Sequence, residues 1–507
     1  MVLPSGLIPG AVGSDAVRPV GDGVVDAPAW EEQIGSRAHA LAEAAATIAT
    51  RAKNVGFAVA LYETAMADDP EVPGAFDAIE KVLLDAGDFA GAERAYVRQL
   101  ERLAGRPNAE AGLLDKLARV RETQLGDRRG ALQALDRLVS LRPTDVDALA
   151  RLARLLEDTG DDELALRVLE AAARQAPGRP ETFRALARIL HRTGDADGTY
   201  CACSVLVHLG EADIDEQMTY QQFAPEVAVR PAQPLDDAGW AMLMPLELDG
   251  ATTALLTALA PAAIGVRIEQ LQSRKALPKL APAEKQDVER TTITAVRTVG
   301  WVARLLGMPA PDVYVRSEEV PGGFAVLPTI EPAIALGPSI LTGRPVQELA
   351  FLFARELFHL RMTGRVLALY PQMTDLKAVV TAAITVVLGP PDSLPPETGQ
   401  LRRELAKRID PTLLTQLGAA VSAITERGGQ LDLDAWQRAV EIAACRAGLL
   451  ACGDVNTVAG VLSVDLRGAG GLSAAERLRD LVPFCVSRPY SEVRRALGIA
   501  WRPSRAR

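Results

Sequence analysis

The pair Gly-Asp returns along the first part of the chain at a fixed interval. Gly126-Asp127, Gly160-Asp161 and Gly194-Asp195 are 34 residues apart, and Gly87-Asp88 precedes them by 39. Pro143 and Pro177 keep the same 34-residue spacing, and each is read as closing a helical segment. A unit this short cannot bury its own apolar face, so successive copies must stack on one another into an open, curved solenoid. An undifferentiated helical bundle has no reason to keep so regular a period. The repeat organises residues 36–210 into about five copies, the last of them weak.

The best copy runs from Ala148 to Pro177. Leu149, Leu152, Ala153, Leu156, Gly160, Ala165, Leu169, Ala172 and Pro177 fall where a helix-turn-helix unit needs its packing and turn residues. Small side chains at Ala153 and Ala165 let the two helices approach. Ala58, Ala92 and Ala131 stand at the equivalent of Ala165, with Thr199 in the last copy. A 34-residue period with a mid-repeat Gly and a terminal Pro resembles the tetratricopeptide (TPR) repeat. That resemblance implies a concave face suited to a peptide or a partner helix. Arg151, Arg154, Arg184 and Arg188 are candidates on it for clamping an acidic peptide, although charged residues on a solenoid are most often its solvated face. Cys201 and Cys203 sit on the weak last copy and are read as core cysteines.

Composition limits the remaining choices. At 507 residues the chain exceeds one core, and 48% apolar residues are ample for more than one. A net charge of -10 argues against a nucleic-acid role, for which a basic face is the expected footprint. Five scattered cysteines make no disulfide framework, so a reducing, cytoplasmic setting is expected. Residues 1–35 read as a flexible arm: their apolar start is broken by Pro4, Gly6, Pro9, Gly10 and Gly13 and carries no cation before Arg18, unlike a secretory signal. The longest apolar run is read as Ala378 to Leu388, too short for a membrane span.

Residues 211–238 are acidic and then proline-bearing, without a helical period, and are expected to form a linker. The second domain is expected over 239–507. At its centre, Arg355-Glu356-Leu357-Phe358-His359 lies in an apolar helical run and reads as the zinc-peptidase helix H-E-x-x-H with arginine at the first histidine. Such a helix places two imidazoles one turn apart on a metal, with the glutamate beside the first acting on the bound water. A guanidinium stays protonated and has no lone pair to give. Only His39, His191 and His208 accompany His359 in the chain, and none of them lies in this half.

The surrounding segments resemble the HtpX-like zinc metallopeptidases over about 150 residues. Pro311 to Val315 and Gly323-Phe324-Ala325 are similar to that family's strand and Asn-Ala-Phe-Ala segment. Ala333-Ile334-Ala335-Leu336 is similar to its edge strand, and Glu441-Ile442-Ala443-Ala444-Cys445-Arg446-Ala447-Gly448 to its second motif, E-x-x-A-D-R-x-G. The resemblance makes Glu356 the general-base position, His359 the second-ligand position and Glu441 the third. Arg355 and Cys445 are departures from the pattern. Mixed zinc ligation by His359, Glu441 and Cys445 is the less favoured alternative; the simpler expectation is that Arg355 serves as counter-charge to Glu356 and Glu441 and that no metal or other cofactor binds.

The fold expected is therefore mainly α: an N-terminal solenoid of TPR helix pairs joined to a C-terminal α+β, zincin-like domain with a small sheet. The function expected is a non-catalytic scaffold or assembly factor. Its solenoid would hold a partner peptide or protein, and its inactive peptidase-like domain would offer a second surface, with an extended peptide along the edge strand near Ile334. The alternative is a zinc-dependent endopeptidase with atypical ligands.

Overall fold

The computed structural model describes residues 29–49, 55–224, 229–391, 393–464 and 469–501. The expected N-terminal arm lies outside the described residues as far as residue 28, and the first helix begins at Ala29. The chain forms two compact units that divide between Ala176 and Pro177.

The first unit is wholly helical among the described residues. It comprises α1 (Ala29–Thr47), α2 (Val55–Asp68), α3 (Ala75–Asp85), α4 (Phe89–Arg102), α5 (Pro107–Thr123), α6 (Arg128–Leu141), α7 (Val146–Thr159) and α8 (Asp162–Gln175), and within the unit consecutive helices pack on one another. The recurring Gly-Asp is the turn within each pair. At Gly160 the backbone is left-handed (φ 83°), which glycine adopts without a Cβ penalty. Its N–H and that of Asp161 donate back to Glu157 and Leu156, closing the carbonyl end of α7. The Asp161 carboxylate then accepts from the Leu164 N–H and caps α8, as Asp88 and Asp127 cap α4 and α6. One dipeptide thus ends one helix and starts the next, which is why it repeats. The 39-residue interval arises because α5 has 17 residues where α7 has 14, and its following turn is longer as well. Ala58, Ala92, Ala131, Ala153 and Ala165 are all buried, as their positions in the repeat predict.

The second unit opens with the last helix pair, α9 (Pro180–Arg192) and α10 (Ala196–Leu209), joined by the same turn at Gly194-Asp195. It continues with α11 (Ile214–Phe223), α12 (Asp237–Leu243), α13 (Gly250–Ser273), β1 (Lys285–Gln286), α14 (Thr294–Leu305), β2 (Asp312–Val315), β3 (Phe324–Val326) and β4 (Ala333–Leu336). Then follow α15 (Pro338–Leu341), α16 (Val346–Leu360), α17 (Met362–Leu369), α18 (Met373–Leu388), α19 (Pro396–Ala406) and α20 (Pro411–Glu426). The last helices are α21 (Leu433–Cys452), α22 (Val455–Val464), α23 (Ala474–Cys485) and α24 (Arg488–Leu497). A buried, two-pronged pair ties α10 to α24: Arg494 donates from Nε and Nη2 to the two oxygens of Asp197 at 2.8 and 2.7 Å. Cys201 and Cys203 are core residues of α10, as expected. The stretch read as a linker contains α11, which opens on a reciprocal capping box between Asp213 and Glu216.

The sheet is mixed, in the order β1-β2-β4-β3, with β2 and β4 parallel and the outer pairings antiparallel. This corrects the expectation of an edge strand at Ile334. β4 is hydrogen-bonded on both sides, Val313 and Val326 each being register partners of Ile334, so no peptide can add there. A second correction concerns apolar length. By length and composition α13 is long and apolar enough to cross a membrane, but 67% of its most apolar window is buried within the unit, where it packs on α17, α18, α19, α20 and α21. Three threonines and Pro261 break up its apolar run in the sequence.

Helix α16 is central. It packs on α14, α17, α22 and, most extensively, α21, and its Phe353 meets Phe324 of β3. The close approach of α21 depends on Gly448: a Cβ there would lie 2.6 Å from the Phe351 ring and 3.0 Å from the Phe351 carbonyl oxygen. The glycine of the second motif therefore brings the two motif helices together.

Candidate functional site

Packing of α16 against α21 sets the two sequence motifs face to face. Residues 355, 356 and 359 lie within one helical turn and a residue of each other on α16, while residues 441 and 445 are one turn apart on α21. Glu441 is the hub. Its Oε1 accepts from Arg355 Nε at 2.9 Å, with Arg355 Nη2 at 2.8 Å, and its Oε2 lies 3.2 Å from His359 Nε2. The Cys445 thiol is directed at Oε1 from 3.6 Å. Glu356 stands apart from the hub, with its Oε1 3.9 Å from Arg355 Nη1. All five residues singled out by sequence are thus brought into one cluster.

A sixth member comes from α23. Arg477 places Nη1 3.5 Å from Glu441 Oε1. Arg355, Arg477 and Glu441 are 2%, 1% and 0% exposed, so two cations and a carboxylate are removed from water together. Burial pushes the Glu441 carboxyl up, but the charges of Arg355, His359 and Arg477 and the His359 hydrogen bond outweigh it, leaving the group below its ordinary range. Burial, reinforced by the adjacent carboxylate, drives the Cys445 thiol well above its ordinary value, so it is a neutral donor. The signal for Arg477 was available in the sequence: it lies four residues before Leu481 on the apolar stripe of α23, where a charge requires a partner.

These residues do not fit a zinc ion. A four-coordinate site needs convergent lone pairs. Here both oxygens of the carboxylate are engaged by donors, the thiol is protonated, and a guanidinium fills the approach. Among the described residues no group of three or more His, Cys, Asp or Glu side chains is placed to hold a metal. What the cluster does chemically is neutralise charge and join three helices.

The arginines proposed for partner binding have partners of their own. Arg151 of α7 reaches Asp115 and Glu122 of α5, and Arg154 also reaches Glu122. Within the second unit, Arg184 of α9 pairs with Glu216 of α11 at 3.0 Å and donates to the Glu211 carbonyl at 2.7 Å. These contacts lace neighbouring helices together, and Arg188 likewise has an interaction partner.

Comparison with known proteins identifies the repeat. Residues 122–189 match the tetratricopeptide repeat family. Among solved structures, the crystal structure of YrrB, described as a TPR protein with an unusual peptide-binding site, is 18% identical, with a TM-score of 0.27. The match covers 38% of this chain and 96% of that one. The curated proteins contain no match. The N-terminal array is a TPR array, which supports a protein-interaction role. The family match ends at residue 189, so the HtpX-like resemblance rests on the motifs alone.

Proposed function

We propose that the chain is a non-catalytic interaction scaffold or assembly factor of the cytoplasm. Its TPR array takes a partner peptide or protein, and its C-terminal domain is a pseudo-metallopeptidase retained as a second binding surface. The observation that carries this reading is the pairing of Arg355 with Glu441, where the HtpX-like pattern has a metal between two ligands. The cation is supplied by the chain, so the fold keeps its buried glutamate without zinc and without a metal-activated water. Five free, buried cysteines accord with a reducing compartment.

The test is metal content of the intact chain, measured by elemental mass spectrometry after dialysis against zinc and then against buffer. Zinc well below one per chain is the expected result. One zinc per chain, lost on His359→Ala or Glu441→Ala, overturns the reading in favour of a zinc-dependent endopeptidase with atypical ligands.

A further inference from the structure

A second polar feature lies one residue beyond α16. The helix stops at Leu360, and Arg361 turns to an extended backbone (φ -60°, ψ 155°), which carries its side chain out of the helical register. Its guanidinium lies over the Trp240 ring, 3.9 Å from the centroid, and Phe358 packs against the same ring at 5.7 Å. Both rings line a cleft of about 750 Å³ whose other walls include Met244, Leu248, Met308 and Trp436. The residues lining it include none of Arg355, Glu356, His359 and Glu441.

Three charged residues reach this cleft. Arg365 is committed, donating to the carbonyls of Thr329 and Ile330 at 2.5 and 2.9 Å. Asp237 is the single acid, and it makes no ion pair with Arg361. Among the described residues the Arg361 guanidinium has no hydrogen bond and no ion pair; it rests on the aromatic face of Trp240, and Asp237 acts on it only from beyond ion-pair distance. Burial lowers its pKa against the pull of Asp237, the mark of a cation short of a counter-charge. A cleft of this volume, lined mostly by apolar surface and holding one cation without an ion pair, has the build of a small-ligand site.

We propose that this cleft binds an apolar monocarboxylate, its carboxylate on the forked donors of Arg361 and its hydrocarbon body against Trp240, Phe358 and Trp436. A carboxylate is the planar anion that the guanidinium matches with two parallel hydrogen bonds. Neither a polar anion nor a neutral hydrocarbon would use both halves of the site.

The test is isothermal titration of the full chain with decanoate and with decanol, which has the same length and no charge. Saturable one-to-one binding of decanoate is expected, with decanol at least about tenfold weaker, since a charge-assisted pair is worth about ten- to a hundredfold. Arg361→Met should weaken decanoate by that factor and leave decanol unchanged; Arg361→Lys should fall between. Equal binding of acid and alcohol, no saturation, or decanoate affinity untouched by Arg361→Met overturns the proposal. Should Arg361→Met not fold by circular dichroism, the acid-against-alcohol contrast in the unmodified chain decides alone. An apolar tripeptide with a free C-terminus, compared with its amide, separates the sources. Tighter binding of the free peptide than of decanoate assigns the carboxylate to a peptide end, and the reverse to a free acid.

Discussion

Removing Arg355 tests whether the charge cluster holds the C-terminal unit together. Arg355→Met keeps most of the side-chain volume but deletes both short contacts to Glu441 Oε1, at 2.9 and 2.8 Å. That oxygen is then left with Arg477 at 3.5 Å and the Cys445 thiol at 3.6 Å, while His359 still holds Oε2. Breaking a buried pair by deleting one partner costs about 3–5 kcal/mol, because the other charge stays buried. The residual cations place the cost here near the lower end, about 3 kcal/mol. With a urea m value of about 3 kcal/mol/M for a unit of this size, the midpoint should fall by about 1 M. Tryptophan fluorescence reads the right unit, since Trp240, Trp301, Trp436 and Trp501 belong to it and only Trp30 to the other. Glu441→Gln alone should cost a similar amount by stranding Arg355. The double variant should cost about 2 kcal/mol less than the two single costs together, because neither charge is then left alone. A loss below about 1 kcal/mol for Arg355→Met, or additivity within about 0.5 kcal/mol, would refute the pairing as the source of stability.

Four further outcomes follow from the same geometry. Because the Glu441 carboxyl is depressed below its ordinary 4.5 in the folded chain, its contribution is complete above about pH 4.5 and is lost as pH falls through the lower folded value; the acid limb of a urea-midpoint profile should flatten in Glu441→Gln. Arg355→His restores an imidazole at the first position and is expected to take up one zinc per chain, read by elemental mass spectrometry, if the motif resemblance reflects ancestry. Asp161→Ala removes the cap of α8 and should cost about 1 kcal/mol by chemical denaturation, with no change in zinc content. Burial raises the Cys203 thiol to about 12 and holds the Cys445 thiol well above its ordinary range, so neither should react with a thiol reagent at pH 8 until urea opens the fold.

The repeat was legible because it is local. Glycine in the left-handed turn and aspartate at the next cap act within six residues, so their spacing survives as a printed pattern, and the buried alanines follow from it. Five of the six residues of the charge cluster were legible for another reason: their two motifs carry spacing on single helices, α16 and α21. What joins them is not local. Arg477 is 36 residues beyond Glu441 and belongs to no motif; only the apolar stripe around it marks it as buried. Strand order was not legible either. Segment 333–336 is entirely buried, which its Ala-Ile-Ala-Leu composition allows for an inner or an outer strand, and only pairing with both β2 and β3 decides it. The length of α13 was obscured by a proline that the helix tolerates at its midpoint.

The composition of the cluster argues that its charges are kept for geometry. A buried ion pair replaced by well-packed apolar residues is often as stable or more so, so stability alone does not call for charge between α16 and α21. Here Glu441 has the Arg355 guanidinium and the Cys445 thiol at Oε1 and the His359 imidazole at Oε2, with a second guanidinium from α23 3.5 Å from Oε1. Apolar side chains can slide along a helix face at little cost, whereas this carboxylate is satisfied at one register only. Gly448 acts in the same direction, since contact with Phe351 through a missing Cβ is possible at one depth. Register, depth and charge thus agree on a single arrangement of α16, α21 and α23. If that is what the charges are for, an apolar double replacement of Arg355 and Glu441 should cost less than the two single changes together while broadening amide hydrogen exchange across α16 and α21. A stable variant with unchanged exchange would show that the apolar contact alone sets the register.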